Sequence, residues 1–162
     1  MCWCDMEKER FGQSSHPFFD VNSVGKVGEA APWRAEQRDL LLKIQSIASE
    51  SLSADDAFGR CVEEVCRYTG WPVGHAYIID ETNPRELKQV GPWHFDDAPT
   101  YRVFKDVTET LSIKCGADLP GLVLERRSSI WAGRLSESGQ SFMRFAAAFS
   151  CGLNFGAAFP VW

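Results

Sequence analysis

The chain has 162 residues, 44% of them hydrophobic and 24% charged, a composition that fits an ordinary folded domain and excludes a collagen-like or largely disordered protein. Its 17 basic and 22 acidic residues give a formal net charge of −5, so no basic excess is available to neutralise a nucleic-acid backbone. No apolar run approaches the roughly 20 residues that a membrane-spanning helix needs, and the N-terminal sequence MCWCDMEKER lacks the apolar centre of a signal peptide. We therefore expect a cytoplasmic domain with free cysteines and with neither nucleic acid nor a membrane as partner.

The first 31 residues differ in composition from the rest of the chain. Glycine, serine, asparagine and proline are scattered among apolar residues without a helical or strand period. This pattern is typical of a flexible leader, and we predict one over 1–31. Cys2 and Cys4 form a C-x-C motif, but no second pair of cysteines or histidines lies nearby, so the motif does not indicate a zinc site.

A first helix is predicted over 32–52, because proline is favoured in a first helical turn. Leu40, Ile44 and Ile47 follow steps of four and three residues and form one apolar stripe. Two interpretations of the stripe are open. The helix packs on its own domain, or residues 33–52 pair with the same helix of a second copy as a short coiled coil.

A second helix is predicted after Ser53, whose hydroxyl can cap the first backbone amides, with two aspartates in the first turn where the helix dipole favours them. Gly70 is placed to end it. Cys61 and Cys66 lie on its apolar stripe, which favours buried structural thiols over a ligand or a nucleophile.

The remaining sequence mixes strands with short helices, which predicts an α+β fold with an antiparallel sheet covered by helices. Val73–Asp80 and Leu87–His94 are predicted to be paired strands, with Gly91-Pro92 marking a bulge or an edge. The later predicted elements are a helix over 100–111, a short helix over 119–127 capped by Asp118, a strand over 129–132, a helix over 140–150 and a strand over 153–162.

Four segments of this region resemble a known family. They are YTGWPVGHAYIID, GPWHFDD, CGADLPGLVLERRSSIWAGRL and FAAAFSCGLNFGAAFPVW, in this order along the chain. Together they resemble the sensory GAF domain of bacterial signal-transduction proteins over about residues 38–162. The resemblance implies a GAF/PAS-like antiparallel sheet flanked by helices and a domain over 32–162. It also implies a regulatory function, in which a small ligand binds non-covalently and modulates an attached output domain such as a kinase, a cyclase or a phosphodiesterase.

The sequence departs from the family pattern in two places. Where the family commonly has Gly-x-Gly before Leu-Pro-Gly, this chain has Gly116, Ala117 and Asp118, which places a carboxylate at the loop. The family also continues past the FPV strand with a further strand, central in the sheet beside the first one, and with a closing helix. Because the sequence ends at Trp162, we expect a truncated product that lacks both and has an open central slot in its sheet.

The candidate ligand site lies under the Leu-Pro-Gly loop. Backbone amides at a helix start can bind an anionic or carbonyl group, and aromatic side chains provide walls with polar tips. The predicted ligand-binding residues are Tyr77, Trp93, Phe104, Asp118, Leu119, Gly121, Trp131 and Phe155. The alternative is that the loop is only a tight joint and that the aromatic side chains form the core.

No catalytic motif is present, and we predict that the domain is not an enzyme and carries no cofactor or metal. The P-loop, H-E-x-x-H and G-x-S-x-G motifs do not occur, nor do the Cys-His pair of bilin-binding relatives and the N-K-x-F-D-E signature of the cyclic-nucleotide class. His75 or His94 could ligate iron should haem bind, but a lone histidine on a strand is more often a core or edge residue. The second hypothesis is a ligand-free interaction or dimerisation module. A third is a redox enzyme that uses Cys115, although methionine sulfoxide-reducing relatives have a cysteine where this chain has Leu-Pro-Gly.

Overall fold

The computed structural model describes residues 2–7, 32–132 and 144–161, which form one mixed sheet-and-helix unit and confirm the predicted α+β class. In chain order the elements are β1 Cys2–Glu7, α1 Pro32–Glu50, α2 Ala54–Thr69, β2 Val73–Ile79, β3 Glu86–Phe95, α3 Arg102–Glu109, β4 Ile113–Lys114, α4 Asp118–Arg126, β5 Ile130–Ala132, α5 Phe145–Ser150 and β6 Leu153–Phe159. The strands belong to one antiparallel sheet in the order β4-β3-β2-β1-β6-β5. None of the helices in these ranges is long and apolar enough to cross a membrane.

Helix α2 begins and ends where its local signals predict. Ser53 is the N-cap in an extended conformation, and its hydroxyl accepts a hydrogen bond from the Asp56 N–H at 3.2 Å. Gly70 follows the last turn with a φ of 70° and donates its N–H to the carbonyl of Cys66. Both caps satisfy backbone groups that would otherwise lack partners at the ends of the helix.

Strand β3 is irregular at Gly91, as the Gly-Pro pair predicts. The φ of Gly91 is +68°, and a Cβ atom there would lie 2.8 Å from the backbone oxygen of Asp55 in the first turn of α2. A Cβ atom on Gly59 of α2 would in turn lie 2.4 Å from the ring of Pro92. Helix and strand therefore approach so closely because both positions are glycine.

The sheet is covered by helices on both sides. One side, which we call the α4 face, packs against α3, α4 and α5, and the opposite side, the α2 face, packs against α2. The buried residues of the α4 face are Val73, Tyr77, Leu87, Tyr101, Phe104, Ile113, Leu119, Val123, Ala147, Ala148, Leu153 and Ala158. Those of the α2 face are Val62, Cys66, Trp71, Ala76, Val90 and Ala157.

Helix α1 lies against α2, which agrees with the first interpretation of its apolar stripe. Ile47 is buried, and Leu40 and Ile44 are half-buried. At the junction Lys43 Nζ lies 2.7 Å from Glu64 Oε2 of α2. Pairing with a second copy stays a prediction.

The expected open slot in the centre of the sheet holds a strand, so that expectation was wrong. β1 lies between β2 and β6 and pairs with both. The predicted flexible leader over 1–31 therefore needs correction for residues 2–7, while residues 8–31 lie outside the described ranges. A strand fits there because the ladder groups of β2 and β6 need partners once they are buried inside a sheet.

Two later elements differ from the prediction by three residues or more at one end. The helix expected over 140–150 begins at Phe145, and residues 140–143 lie outside the described ranges. The last strand, expected over 153–162, ends at Phe159.

Candidate functional site

The interior of the α4 face contains a fully buried ion pair. Arg144 lies just before α5, and Asp118 is the first residue of α4. Arg144 Nε donates to Asp118 Oδ2 at 2.9 Å, and Arg144 Nη2 donates to Asp118 Oδ1 at 3.0 Å. Both side chains have 0% exposure. This is the planar, two-bond arrangement in which arginine binds a carboxylate most strongly.

The third guanidinium nitrogen of Arg144 reaches two further elements. Nη1 lies 3.4 Å from the hydroxyl oxygen of Tyr77 on β2 and 3.4 Å from the hydroxyl oxygen of Thr108 on α3. The guanidinium carbon also lies 5.4 Å from the ring centroid of Phe104, within the range of a cation–π contact. One buried cation thus connects β2, α3, α4 and the start of α5.

Asp118 adopts a backbone conformation that side-chain-bearing residues rarely take. Its φ is +56°, in the left-handed region that favours glycine. Its carboxylate accepts a hydrogen bond from the N–H of Leu119 at 2.6 Å as well as the two bonds from Arg144. We infer that these bonds compensate a backbone strain of about 1–3 kcal/mol.

The Leu-Pro-Gly segment packs in close backbone contact with β4. A Cβ atom on Gly121 would lie 2.0 Å from the backbone oxygen of Lys114, and the N–H of Gly116 donates to the carbonyl of Gly121 at 2.8 Å. The predicted cap was wrong in detail, because Ala117 occupies the N-cap position and makes no side-chain cap. The Leu119 amide, predicted to be available for a ligand, is bonded to Asp118 instead.

His75 lies beside the ion pair in a stack of aromatic rings. It is completely buried, its ring stacks on Trp93 at 3.9 Å with 6° between the planes, and it meets Tyr77 edge-on at 4.9 Å. Burial, and secondly the charge of Arg144, hold the pKa of His75 well below its usual value near 6.5. The imidazole is therefore neutral at neutral pH.

Trp93 extends the stack towards the end of β3. It stacks on Phe95 at 5.3 Å, and Phe95 stacks on Tyr101 at 6.3 Å. The indole Nε1 of Trp93 is buried, and among the described residues no acceptor lies within hydrogen-bonding distance of it. A buried donor without an acceptor is uncommon and is a place for a ligand atom or a water molecule.

The structure brings five of the eight predicted site residues together and leaves two on the opposite face. Tyr77, Trp93, Phe104, Asp118 and Leu119 lie in or against the cluster of the α4 face. Gly121 is buried within α4 at the contact with β4.

Trp131 and Phe155 do not join that cluster. Trp131 pairs across the sheet with Ala157 of the α2 face, is 44% exposed, and packs edge-on against Trp71 and Phe159. Phe155 is half-buried and two residues from Ala157 on β6, so strand alternation places it on the same side. Both were assigned to the site without a known strand register, and a shift of one residue reverses the face.

Sequence reasoning missed the residue at the centre of the cluster, Arg144. A single charge in the apolar stretch SFMRFAAAFS is the signal that could have indicated it, because charged residues are rarely fully buried without a partner. No sequence pattern indicated that Thr108 contacts the buried cation. His75 was considered only as a core residue or an iron ligand.

Other candidate chemistry is sparse in the part of the chain that the structure describes. It contains no group of three or more His, Cys, Asp or Glu side chains arranged for a metal ion. Cys115 and Cys151 are half-buried free thiols, as expected for them, and a redox role for Cys115 stays a prediction. A cavity of about 250 Å³ lies away from the cluster, between α1 and α2, lined by Lys43, Ser46, Ile47, Glu50, Arg60, Glu63 and Glu64.

A comparison of the sequence with protein-family models gives no match, and a comparison with curated proteins gives none either. The function is therefore inferred from the cluster itself.

Proposed function

We propose that the chain is a cytoplasmic sensory domain of the GAF type that binds a small ligand at the polar cluster of the α4 face and modulates an attached output domain. The observation that carries the proposal is the fully buried Arg144–Asp118 pair under the start of α4. It lies where the sequence resemblance implies the ligand site. In this proposal the domain senses and is not an enzyme.

Burying this ion pair in the core costs desolvation free energy. Removing two charges from water costs several kcal/mol per ion, and well-packed hydrophobic replacements are often as stable or more stable. A core that only had to hold the sheet and α4 together could use uncharged apolar side chains, as the α2 face does. This supports a functional reason for keeping the charges.

The proposed mechanism is exchange of carboxylates on Arg144. A ligand with an anionic group displaces Asp118 from the guanidinium, and the Trp93 indole donates a further hydrogen bond. Asp118 begins α4 and Arg144 precedes α5, so the exchange shifts both helices relative to the sheet. The ligand thereby selects one of two arrangements of the domain.

The experiment is a ligand-observed NMR screen of small carboxylates and nucleotides against the full chain, followed by affinity measurements on variants. Arg144→Lys should weaken binding because the two-bond geometry is lost. Asp118→Asn should strengthen the binding of an anion because the competing charge is removed. Asp106→Asn is the matched control, since Asp106 forms an exposed ion pair with Arg102 at 3.6 Å. The proposal fails if no compound binds, or if the two cluster variants and the control have the same affinity.

The second candidate is a dimerisation module that uses α1. Leu41 and Leu42 are 62% and 56% exposed, while Leu40 and Ile44 turn towards the domain. Under this alternative Leu41→Asp with Leu42→Asp dissociates a dimer, and Ser49→Asp, on an exposed position of the same helix, does not. Sedimentation of the wild-type chain as a monomer at high concentration would remove this candidate.

A further inference from the structure

We propose that the slot between β2 and β6 is a strand-acceptor site that takes β1 from a second copy of this chain as well as from its own. The result is a strand-exchanged dimer in which each sheet is completed by its partner. The inference is independent of the ligand proposed above, because it concerns only the backbone ladders of the central strands.

β1 is bonded along both of its edges. Its residues from Cys2 to Asp5 pair in register with Ala76 to Val73 of β2. Its other edge pairs with β6, where Cys2 lies opposite Phe159 and Met6 opposite Phe155. Every ladder group of an inserted strand in such a position has a neighbour, so the slot selects an extended segment by its length and direction.

The two strands that form the slot do not close it themselves. β2 and β6 are each antiparallel to β1 and are therefore parallel to one another. Adjacent strands lie about 4.7–4.9 Å apart, so β2 and β6 are separated by about 9–10 Å, too far to bond directly. If β1 leaves, both edges are unpaired in the centre of the sheet, and another strand running in the same direction as β1 is the occupant that restores them.

β1 is joined to its site by the most distant contact in the sheet. Cys2 and Phe159 are neighbours in space at opposite ends of the sequence. Pairing between such distant segments costs loop-closure entropy before any contact stabilises it. We therefore expect β1 to pair after the local hairpin of β2 and β3 has formed. During that interval the slot is open to any copy of β1.

The length of chain between β1 and α1 permits delivery to a neighbour. Residues 8–31, which separate Glu7 from Pro32, number 24 and can span at most about 80 Å. A compact chain of 162 residues has a radius of gyration of about 15 Å, so the segment is long enough to reach a neighbouring copy. A second copy is the fitting occupant because it carries the segment that already matches the slot in register and direction, and exchange of identical elements creates few new contacts.

The test is complementation between two full-length variants. The first has a broken donor strand, with Trp3→Pro and Asp5→Pro. The second has a broken acceptor, with Ala157→Pro in β6 opposite Cys4. Proline removes ladder donors and is excluded from central strands, so each variant alone should fold poorly.

Mixing the two variants in denaturant and refolding them together should raise the folded fraction several-fold over either variant alone, and native mass spectrometry should show a heterodimer. The matched control mixes Ala157→Pro with Ala76→Pro, two broken acceptors that cannot complete a sheet in any combination. Wild-type chain refolded at high concentration should also form a dimer that returns to monomer after dilution.

Two results overturn the proposal. If the Trp3→Pro, Asp5→Pro variant keeps wild-type stability and wild-type hydrogen-exchange protection of β2 and β6, β1 does not complete the sheet. If the two variants give no heterodimer and no gain in folded fraction over the control mixture, β1 is not exchanged between copies.

Discussion

The two faces of the same sheet are stabilised in different ways. The α2 face is a hydrophobic contact in which Val62 and Cys66 of α2 meet Ala76, Val90 and Ala157. The α4 face surrounds an arginine, an aspartate and a neutral histidine with aromatic rings. Both faces follow from the same alternation of side chains along the strands. The alternation of side chains along the strands therefore shows which residues are buried. It does not show that one interior is charged, because Arg144 and Asp118 lie outside the strands.

The largest expected effect comes from breaking the ion pair of the α4 face. Arg144→Met leaves the Asp118 carboxylate buried without its cation, and we expect a loss of about 3–5 kcal/mol in the free energy of unfolding. Urea denaturation measures it. The double variant Arg144→Met, Asp118→Gly removes both charges and the left-handed aspartate, so it should lose much less. If the loss in the double variant instead equals the sum of the losses in the two single variants, Arg144 and Asp118 do not stabilise the fold as a pair.

Glycine-to-alanine substitutions compare how closely a helix approaches the sheet on each face. Gly121→Ala places a methyl group 2.0 Å from a backbone oxygen of β4, whereas Gly59→Ala on the α2 face places one 2.4 Å from the ring of Pro92, which is bonded to its own backbone and can shift only a little. We expect a loss of about 3 kcal/mol for Gly121→Ala and about 2 kcal/mol for Gly59→Ala. Thermal unfolding of both variants checks the order. A larger loss for Gly59→Ala would reverse the comparison.

The pH dependence of stability should originate on the α4 face. In the unfolded chain a histidine takes up a proton near pH 6.5, while the pKa of His75 in the folded chain is held well below that value by burial and by Arg144. The unfolded state therefore binds more protons, and stability falls as the pH drops below about 6.5, by up to about 1.4 kcal/mol per pH unit.

His75→Phe keeps an aromatic ring against Trp93 and removes this contribution. Unfolding midpoints measured at several pH values should be flatter for His75→Phe than for the wild-type chain. Phe95→Leu alters the same aromatic stack without removing a titratable group, so it is the control and should keep the wild-type slope. An unchanged slope in His75→Phe would show that other groups cause the pH dependence.

The smallest effect is expected for an ion pair outside both interiors. Arg102 and Asp106 of α3 lie 3.6 Å apart, and their side chains are 80% and 61% exposed. Arg102→Gln should change the free energy of unfolding by less than about 0.5 kcal/mol. Measured beside Arg144→Met, it separates the effect of burial from that of charge. A loss comparable to that of Arg144→Met would contradict this distinction.

Elements with local signals could be predicted from the sequence. Ser53 and Gly70 limit α2 through hydrogen bonds within a few residues, and the irregularity at Gly91 follows from one φ angle. The α+β class follows from the mixture of such elements. None of these predictions required knowledge of which strands are neighbours.

Features that depend on distant partners could not be predicted in this way. β1 is six residues long and has no strong period, so its pairing with β2 and β6 is a property of the slot that it fills. The faces of Trp131 and Phe155 could not be assigned from the sequence because the face depends on register. Asp118 could be located at the loop, but its partner Arg144 lies 26 residues further along the chain.

The position of β1 also has a consequence for chain connectivity. β6 ends at Phe159 directly opposite Cys2, where β1 begins, and the two strands run antiparallel. A short turn from β6 to β1 would therefore make them a β-hairpin, with the new ends of the chain placed between Glu7 and Pro32. Such a circular permutant would have the same sheet order, and its central strand would become the last strand of the chain.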